Sequence, residues 1–314
     1  MINFRFHLVS LVAVFLALAV GVVMGYGVLG QPTVDTLQDR IDTVEANAEA
    51  RRVENEELRS ELDQRDGAID ESMAFAVTDR LAGSNAVVLG VRGIDEAAVE
   101  RVVDLARRAG ADVPGVVWLE PAWALENPEE VERLASVLGV PVPSRRALLR
   151  TEALDALVAR LADGPPVSGT DLLRSLADAG FVALDGVGDD ETADASAIGG
   201  AGTSAVLVTG PDASVPARLV VATIARMAVD SDIRLVVSET FPSNPADGVS
   251  RGDSLAELRD DETLDAAVST VDDAERPEGA VATILALADL ERGVVGHYGV
   301  GDGADRQLPE WWQP

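Results

Sequence analysis

The 314-residue chain has no cysteine and no lysine, only two histidines and four methionines, and aromatic side chains make up just 4% of it. Each shortage removes a class of chemistry. Without cysteine there are no disulfides, thiolate nucleophiles, iron–sulfur clusters or cysteine-ligated zinc, so the fold must stand on packing alone. With so few aromatics, Val, Leu, Ile and Ala must fill the core. His7 and His297 lie at opposite ends of the sequence and no Gly-x-Ser-x-Gly elbow occurs, which leaves no base for a hydrolytic triad. His297, beside Tyr298, reads as a packed or surface histidine. Copper(I) prefers Cys, Met and His. Beyond Met1 and His7 the chain offers Met24, Met73, Met227 and His297, unclustered in sequence. No dedicated copper chelate is expected, and copper remains open only as a handled ion.

Positive charge is also scarce: 25 basic residues, all arginine, face 54 acidic ones, for a net charge of -29. A nucleic acid would be repelled rather than release counterions on binding, so it is set aside as a partner. The acidic excess reads as a solubility device. Nucleotide signatures are missing too. Leu89-Gly90-Val91-Arg92-Gly93 and Gly299-Val300-Gly301-Asp302-Gly303 are glycine-rich but follow neither the dinucleotide nor the Walker spacing, and both read as turns. The acids Asp185, Asp189, Asp190, Glu191 and Asp194 miss the calcium-loop spacing and read as a solvated loop over 185–202. No residue receives a catalytic, cofactor-binding or metal-binding assignment, and the chain is read as a non-enzyme without a cofactor.

What is present begins with an uncharged run over 8–34. As a helix its apolar part spans roughly 30 Å, enough to cross a bilayer once. It is longer than a signal-peptide core and its nearest cleavage site, Gly25-Tyr26-Gly27, is poor, which favours an uncleaved signal-anchor. Arg5 precedes the run, whereas Asp35, Asp39, Asp42 and Glu45 follow it, so the N-terminus is expected in the cytoplasm and the remainder outside. Ala13, Ala17, Gly21 and Gly25 recur every fourth residue and form a small-residue face suited to close helix packing.

A heptad repeat follows. Val34, Leu37, Ile41, Val44, Ala48, Asn55, Leu58, Leu62 and Ile69 occupy successive a and d positions, interrupted by Arg51 and Arg65, and Gly and Pro are missing from 34–66. The spacing predicts a coiled-coil stalk of about 58 Å, with Asn55 setting register and Glu54 facing Arg59 across the seam. A homodimer or higher oligomer through anchor and stalk follows.

From residue 75 onward short apolar runs alternate with helical periodicities. Strands are expected at 86–91, 116–119, 181–184, 205–208, 233–237, 267–271 and 294–298. A helix with Val99, Val102, Val103 and Ala106 on one face follows the first strand, and Asn127-Pro128-Glu129-Glu130 marks a helix start. Further helices are expected at 145–162 and 170–179, from Pro216, and from Pro277, the last with Val281, Ile284, Leu285 and Ala288 inward. Trp118 and Trp123 read as packing at the sheet rim, and the tail Leu308-Pro309-Glu310-Trp311-Trp312 as docking back onto the domain. The fold class is α/β: a membrane anchor (1–34), a coiled-coil stalk (35–74) and a mostly parallel, helix-covered sheet domain (75–314) outside the cytoplasm.

Three stretches carry a family resemblance: Ser10-Leu11-Val12-Ala13-Val14-Phe15-Leu16-Ala17-Leu18-Ala19-Val20-Gly21-Val22; Gly110-Ala111-Asp112-Val113 leading into Gly115-Val116-Val117-Trp118-Leu119; and Tyr298-Gly299. With the stalk between them, the chain resembles the actinobacterial copper-transport family MctB, which includes the envelope protein SteB. The resemblance implies copper efflux or homeostasis at the cell envelope. It also implies association with a SteA-like envelope protein in peptidoglycan maintenance, with a scaffold that does not handle copper itself as the alternative. The outer-membrane channel sometimes ascribed to the family finds no support in the residues, because the many alternating ten-residue segments of a lipid-facing barrel are missing.

Overall fold

Helix α1 (Phe4–Val28) forms because its residues are apolar or small throughout, with Arg5 the only formal charge. Its stretch Phe4–Gly25, 22 residues, is long and apolar enough to cross a membrane, spanning about 33 Å at the helical rise. Helix α2 (Gln31–Val77) continues for 47 residues, through Gly67 and three residues beyond the expected stalk end at 74. Ion pairs one turn apart decorate it: Arg52 meets Glu49 at 2.8 Å and Glu56 at 2.6 Å, and Arg65 meets Glu61 at 2.7 Å. The computed structural model describes residues 4–28, 31–143, 145–188 and 192–310, with backbone only at 26–28, 31–39, 63, 66 and 68–74. The chain divides into two units, Met1–Arg65 and Asp66–Pro314. Every described side chain of the first is exposed.

The second unit is built on seven strands, counted among the described residues. They are β1 (Ala86–Val91), β2 (Val116–Leu119), β3 (Val182–Asp185), β4 (Ser204–Thr209), β5 (Arg234–Glu239), β6 (Ser269–Val271) and β7 (His297–Tyr298). Their order is β3-β2-β1-β4-β5-β6-β7. All neighbours are parallel except β2 and β3, which run antiparallel with Val117 opposite Leu184. The helices are α3 (Glu96–Arg108), α4 (Pro128–Leu138), α5 (Arg146–Asp163), α6 (Leu172–Asp178), α7 (Ala217–Asp230), α8 (Ala256–Asp260), α9 (Glu262–Asp265) and α10 (Pro277–Glu291).

Because side chains alternate across a strand, β1 sends Val87, Leu89 and Val91 to one face and Ala86 and Val88 to the other. The first set packs with Leu207, Leu235 and Val237 under α4 to α7; the second packs with Val206, Val208 and Val236 under α3 and α10. Both faces are therefore dry, which is why β1 and β4 are buried end to end. The predicted α3 face, Val99, Val102, Val103 and Ala106, is buried as expected. At α4 the Glu130 carboxylate accepts from the Asn127 N–H at 3.1 Å, the reciprocal half of a capping box.

Three expectations need correction. The 185–202 stretch is not simply a solvated loop: Asp185 ends β3, Ala193, Ala195 and Ile198 are buried, the Ala193 N–H donates to the Leu184 carbonyl at 3.3 Å, and Arg160 donates to the Ala195 and Ile198 carbonyls at 2.9 Å each. Helix α10 buries far more than the single face of Val281, Ile284, Leu285 and Ala288; only Glu278 and Glu291 escape burial, since it lies against β4, β5 and β6 on one side and α3 on another. Helices α8 and α9 fall in a stretch for which no helix was expected.

Candidate functional site

The residues singled out in the anchor and stalk are placed on two helices, and those whose side chains are described are exposed in the single chain. Ala13 and Ala17 are exposed on α1, and a side-chain carbon added at Gly21 or Gly25 meets nothing within 4 Å. On α2, Ile41, Val44, Ala48, Asn55, Leu58 and Leu62 are exposed, and the Asn55 amide donates to the Arg51 carbonyl at 2.9 Å. The side chains of Val34, Leu37 and Ile69 lie outside the described residues.

In the α/β unit the chemistry gathers at the carboxyl ends of β5 and β6. Glu239 ends β5 fully buried and accepts from the Gly252 N–H and, at 3.1 Å, from the Ser254 N–H. Burial pushes its carboxyl above the ordinary range, and these two donors only partly offset that. Asp272, just past β6 and also fully buried, is enclosed by donors: Val300 N–H at 2.8 Å, Gly301 N–H at 2.9 Å and the Arg259 guanidinium at 3.1 Å. The glycine-rich turn after β7 thus wraps one of the protein's own carboxylates instead of a phosphate. Gly299 is required there, with φ of +125° and a Cβ that would stand 2.2 Å from Asp272 Oδ1.

Asp273 differs from both. It is fully buried, yet neither carboxylate oxygen has a hydrogen-bond partner. Burial first, then the neighbouring Asp272 and Glu275 charges, push its pKa up to about 7. Glu275 is held by Arg251 at 2.7 Å and by the Phe241 N–H at 3.0 Å, while Arg251 also donates to the Asp272 carbonyl at 2.6 Å and lies 4.7 Å over the Phe241 ring. These strand-end acids were not anticipated. Ser238-Glu239-Thr240 reads as a polar strand end, and the available signal was an acid directly after each of two buried β runs.

Other candidates resolve into structure. His297 is buried, its Nδ1 2.8 Å from Thr270 Oγ1 and its Nε2 2.9 Å from Asp265 Oδ1, so both ring nitrogens are engaged. Trp118 and Trp123 are buried, the first with Arg92 4.4 Å over its ring, the second edge-on to Phe181 at 5.6 Å. Gly90 is tied to the same packing, because a Cβ there would stand 2.4 Å from Trp118. Of the acidic stretch, Asp185 pairs with Arg92 at 3.3 Å and Asp194 caps the Ser196 N–H at 3.0 Å, whereas Asp189, Asp190 and Glu191 lie outside the described residues. Leu308 packs against the α3/α10 core and Pro309 is buried; Trp311 and Trp312 lie outside the described residues. Among the described residues no group of three or more His, Asp or Glu is arranged to hold a metal ion.

The family described as "Copper transport outer membrane protein, MctB" matches residues 1–309. Over 320 aligned residues the chain is 29% identical to the copper transporter MctB of Mycobacterium tuberculosis, covering 97% of this chain and 98% of that one. The copper transporter MctB of Mycobacterium leprae is 28% identical over 324 residues, with the same shares covered. The match runs from the apolar helix through the whole sheet unit, and the chain belongs to the MctB family.

Proposed function

We propose that the protein is a non-enzymatic, copper-related component of the cell envelope, fixed in a membrane by α1 as a single pass with its N-terminus in the cytoplasm. The family match along residues 1–309 carries the reading, since the relatives are named copper transporters. Helix α1 supports the anchor: its apolar side chains, Leu11, Phe15 and Leu18 among them, have no protein around them. In this reading the small-residue face of α1 and the apolar seam of α2 pair with a second copy as a coiled coil, and copper handling is a property of that assembly. Of the strand-end acids of the sheet unit, Glu239 and Asp272 are spent on backbone amides and an arginine, which speaks against a chelate built on them.

The test is a deletion strain complemented with either the wild-type chain or the Gly21→Leu/Gly25→Leu double variant. Deletion is expected to raise cell-associated copper and copper sensitivity, and the wild-type chain to restore both. The double variant is expected to stay in the membrane, cross-link poorly and fail to restore. Unchanged copper after deletion sinks the copper reading, and full rescue by a non-cross-linking variant sinks the assembly.

A further inference from the structure

The chain leaves β1 toward β2, returns to β4 and continues the other way, so the sheet reverses direction between β1 and β4. In open α/β sheets ligands bind outside the carboxyl ends of strands beside such a reversal. Here those ends frame a cleft of about 660 Å3, within the roughly 300–1,000 Å3 of small-molecule sites. Ile94, Phe241 and Pro242 give it an apolar lining, and Thr240 and Ser243 add hydroxyls. No Cys, His or Met lines it.

Its charges sort into those already used and those that are not. Arg251 and Glu275 neutralise each other at 2.7 Å. Asp95 accepts from the Ala97 N–H at 3.1 Å as the cap of α3. Two remain. Arg276 meets Glu275 only at 3.7 Å, the Glu275 oxygens being already taken by Arg251 and Phe241, and its charge also faces the buried Asp273 without a hydrogen bond to it. Asp212 makes no hydrogen bond or ion pair among the described residues, yet its loop is fixed: the Ser214 N–H donates to the Arg92 carbonyl at 2.6 Å, and a Cβ at Gly93 would stand 2.7 Å from the Asp212 carbonyl oxygen. Among the described residues, one cation whose side chain makes no hydrogen bond and one anion without a partner thus line a cleft whose other charges are paired or capped. A simple anion would meet Asp212 unpaired, and a simple cation would meet Arg276.

We propose that this cleft binds a small zwitterion of short-peptide size, its carboxylate on Arg276 at the amino end of α10, its ammonium on Asp212, and its apolar side chains against Ile94, Phe241 and Pro242. The positive end of the α10 dipole adds to the carboxylate side. The inference is independent of copper, and a failure of either leaves the other standing.

The experiment is calorimetric titration of the full-length chain in detergent micelles with alanyl-leucine, its N-acetyl derivative, its C-terminal amide and inorganic phosphate. The expected result is saturable one-to-one binding of alanyl-leucine, weakened about tenfold or more when either end is blocked, as for loss of one charge-assisted partner. Arg276→Ala and Asp212→Asn are each expected to weaken it to a similar degree. Both side chains lie at the surface, so the thermal midpoint should stay at the wild-type value, and it is measured alongside. No saturable heat with alanyl-leucine overturns the proposal. So does equal binding of a blocked peptide or of phosphate, or undiminished binding by either stably folded variant.

Discussion

Leu58 and Leu157 are the same side chain in two regions of one molecule, and they differ by almost everything a leucine can lose: Leu58 on α2 is 52% exposed, and Leu157 on α5 is 0% exposed. The sheet unit satisfies its own apolar pattern, strand by strand and on both faces. The N-terminal helices carry an equally regular pattern whose described side chains are all exposed. A periodicity left unburied by its own fold points to a partner outside the chain, which in the reading proposed above is hydrocarbon for α1 and a second helix for α2. Leu157→Ala should cost about 3 kcal/mol in chemical unfolding of the sheet unit, independent of protein concentration. Leu58→Ala separates two situations. On an unpaired helix it should cost less than about 0.5 kcal/mol, whereas across a coiled-coil seam it should lower the melting temperature of α2 by an amount that grows on dilution. A concentration-independent melt of α2 in both proteins would break the contrast.

A finer contrast lies within the sheet unit, between two adjacent buried acids. Asp272 is saturated by two amides and an arginine, while Asp273 has no donor at all. The unfolded chain releases the Asp273 proton near its ordinary value of 3.8 and the folded chain near 7. Between those values folding takes up a proton, so stability falls as pH rises through the window and levels off above it. Asp273→Asn removes the titration. It is expected to stabilise the protein by about 2 kcal/mol at pH 8 and to flatten the pH 4–7 stability profile, as seen by urea unfolding across that range. A variant less stable than wild type at pH 8, with the slope retained, would show that Asp273 meets the folded state as a paired carboxylate.

The same contrasts explain what sequence could and could not reveal. The inner strands were legible because doubly covered strands must be continuous apolar runs, as Ala86–Val91 is, and helix starts such as Asn127-Pro128 announce themselves locally, whereas the runs expected at 267–271 and 294–298 shrink to Ser269–Val271 and His297–Tyr298. The reversal between β1 and β4 was not legible, since strand order is a matter of long-range pairing. For the same reason Glu239 read as an ordinary polar end: its donors, the amides of Gly252 and Ser254, belong to a loop whose return to β5 has no local signature. The full burial of α10 was hidden by composition, because Gly279, Ala280, Ala282 and Ala286 are as compatible with a solvent face as with close packing. Ile198 was lost in a Gly- and Asp-rich stretch because the arginine that orders it, Arg160, is far away in sequence.

The smallest effects test whether local terms behave alike in the two regions. The Asp95 carboxylate caps α3 through the Ala97 N–H, and Asp95→Ala should cost about 1 kcal/mol in urea unfolding of the sheet unit. That loss should persist at high salt, because the carboxylate and the amide are in direct contact. On α2, Arg52→Ala removes the pairs to Glu49 and Glu56, both exposed. Its effect on far-UV circular dichroism should be slight at low salt and vanish at high salt, where exposed pairs are screened. If instead the Arg52→Ala loss survived high salt, these pairs would be shielded from solvent, and the seam proposed for α2 would have to extend over Arg52.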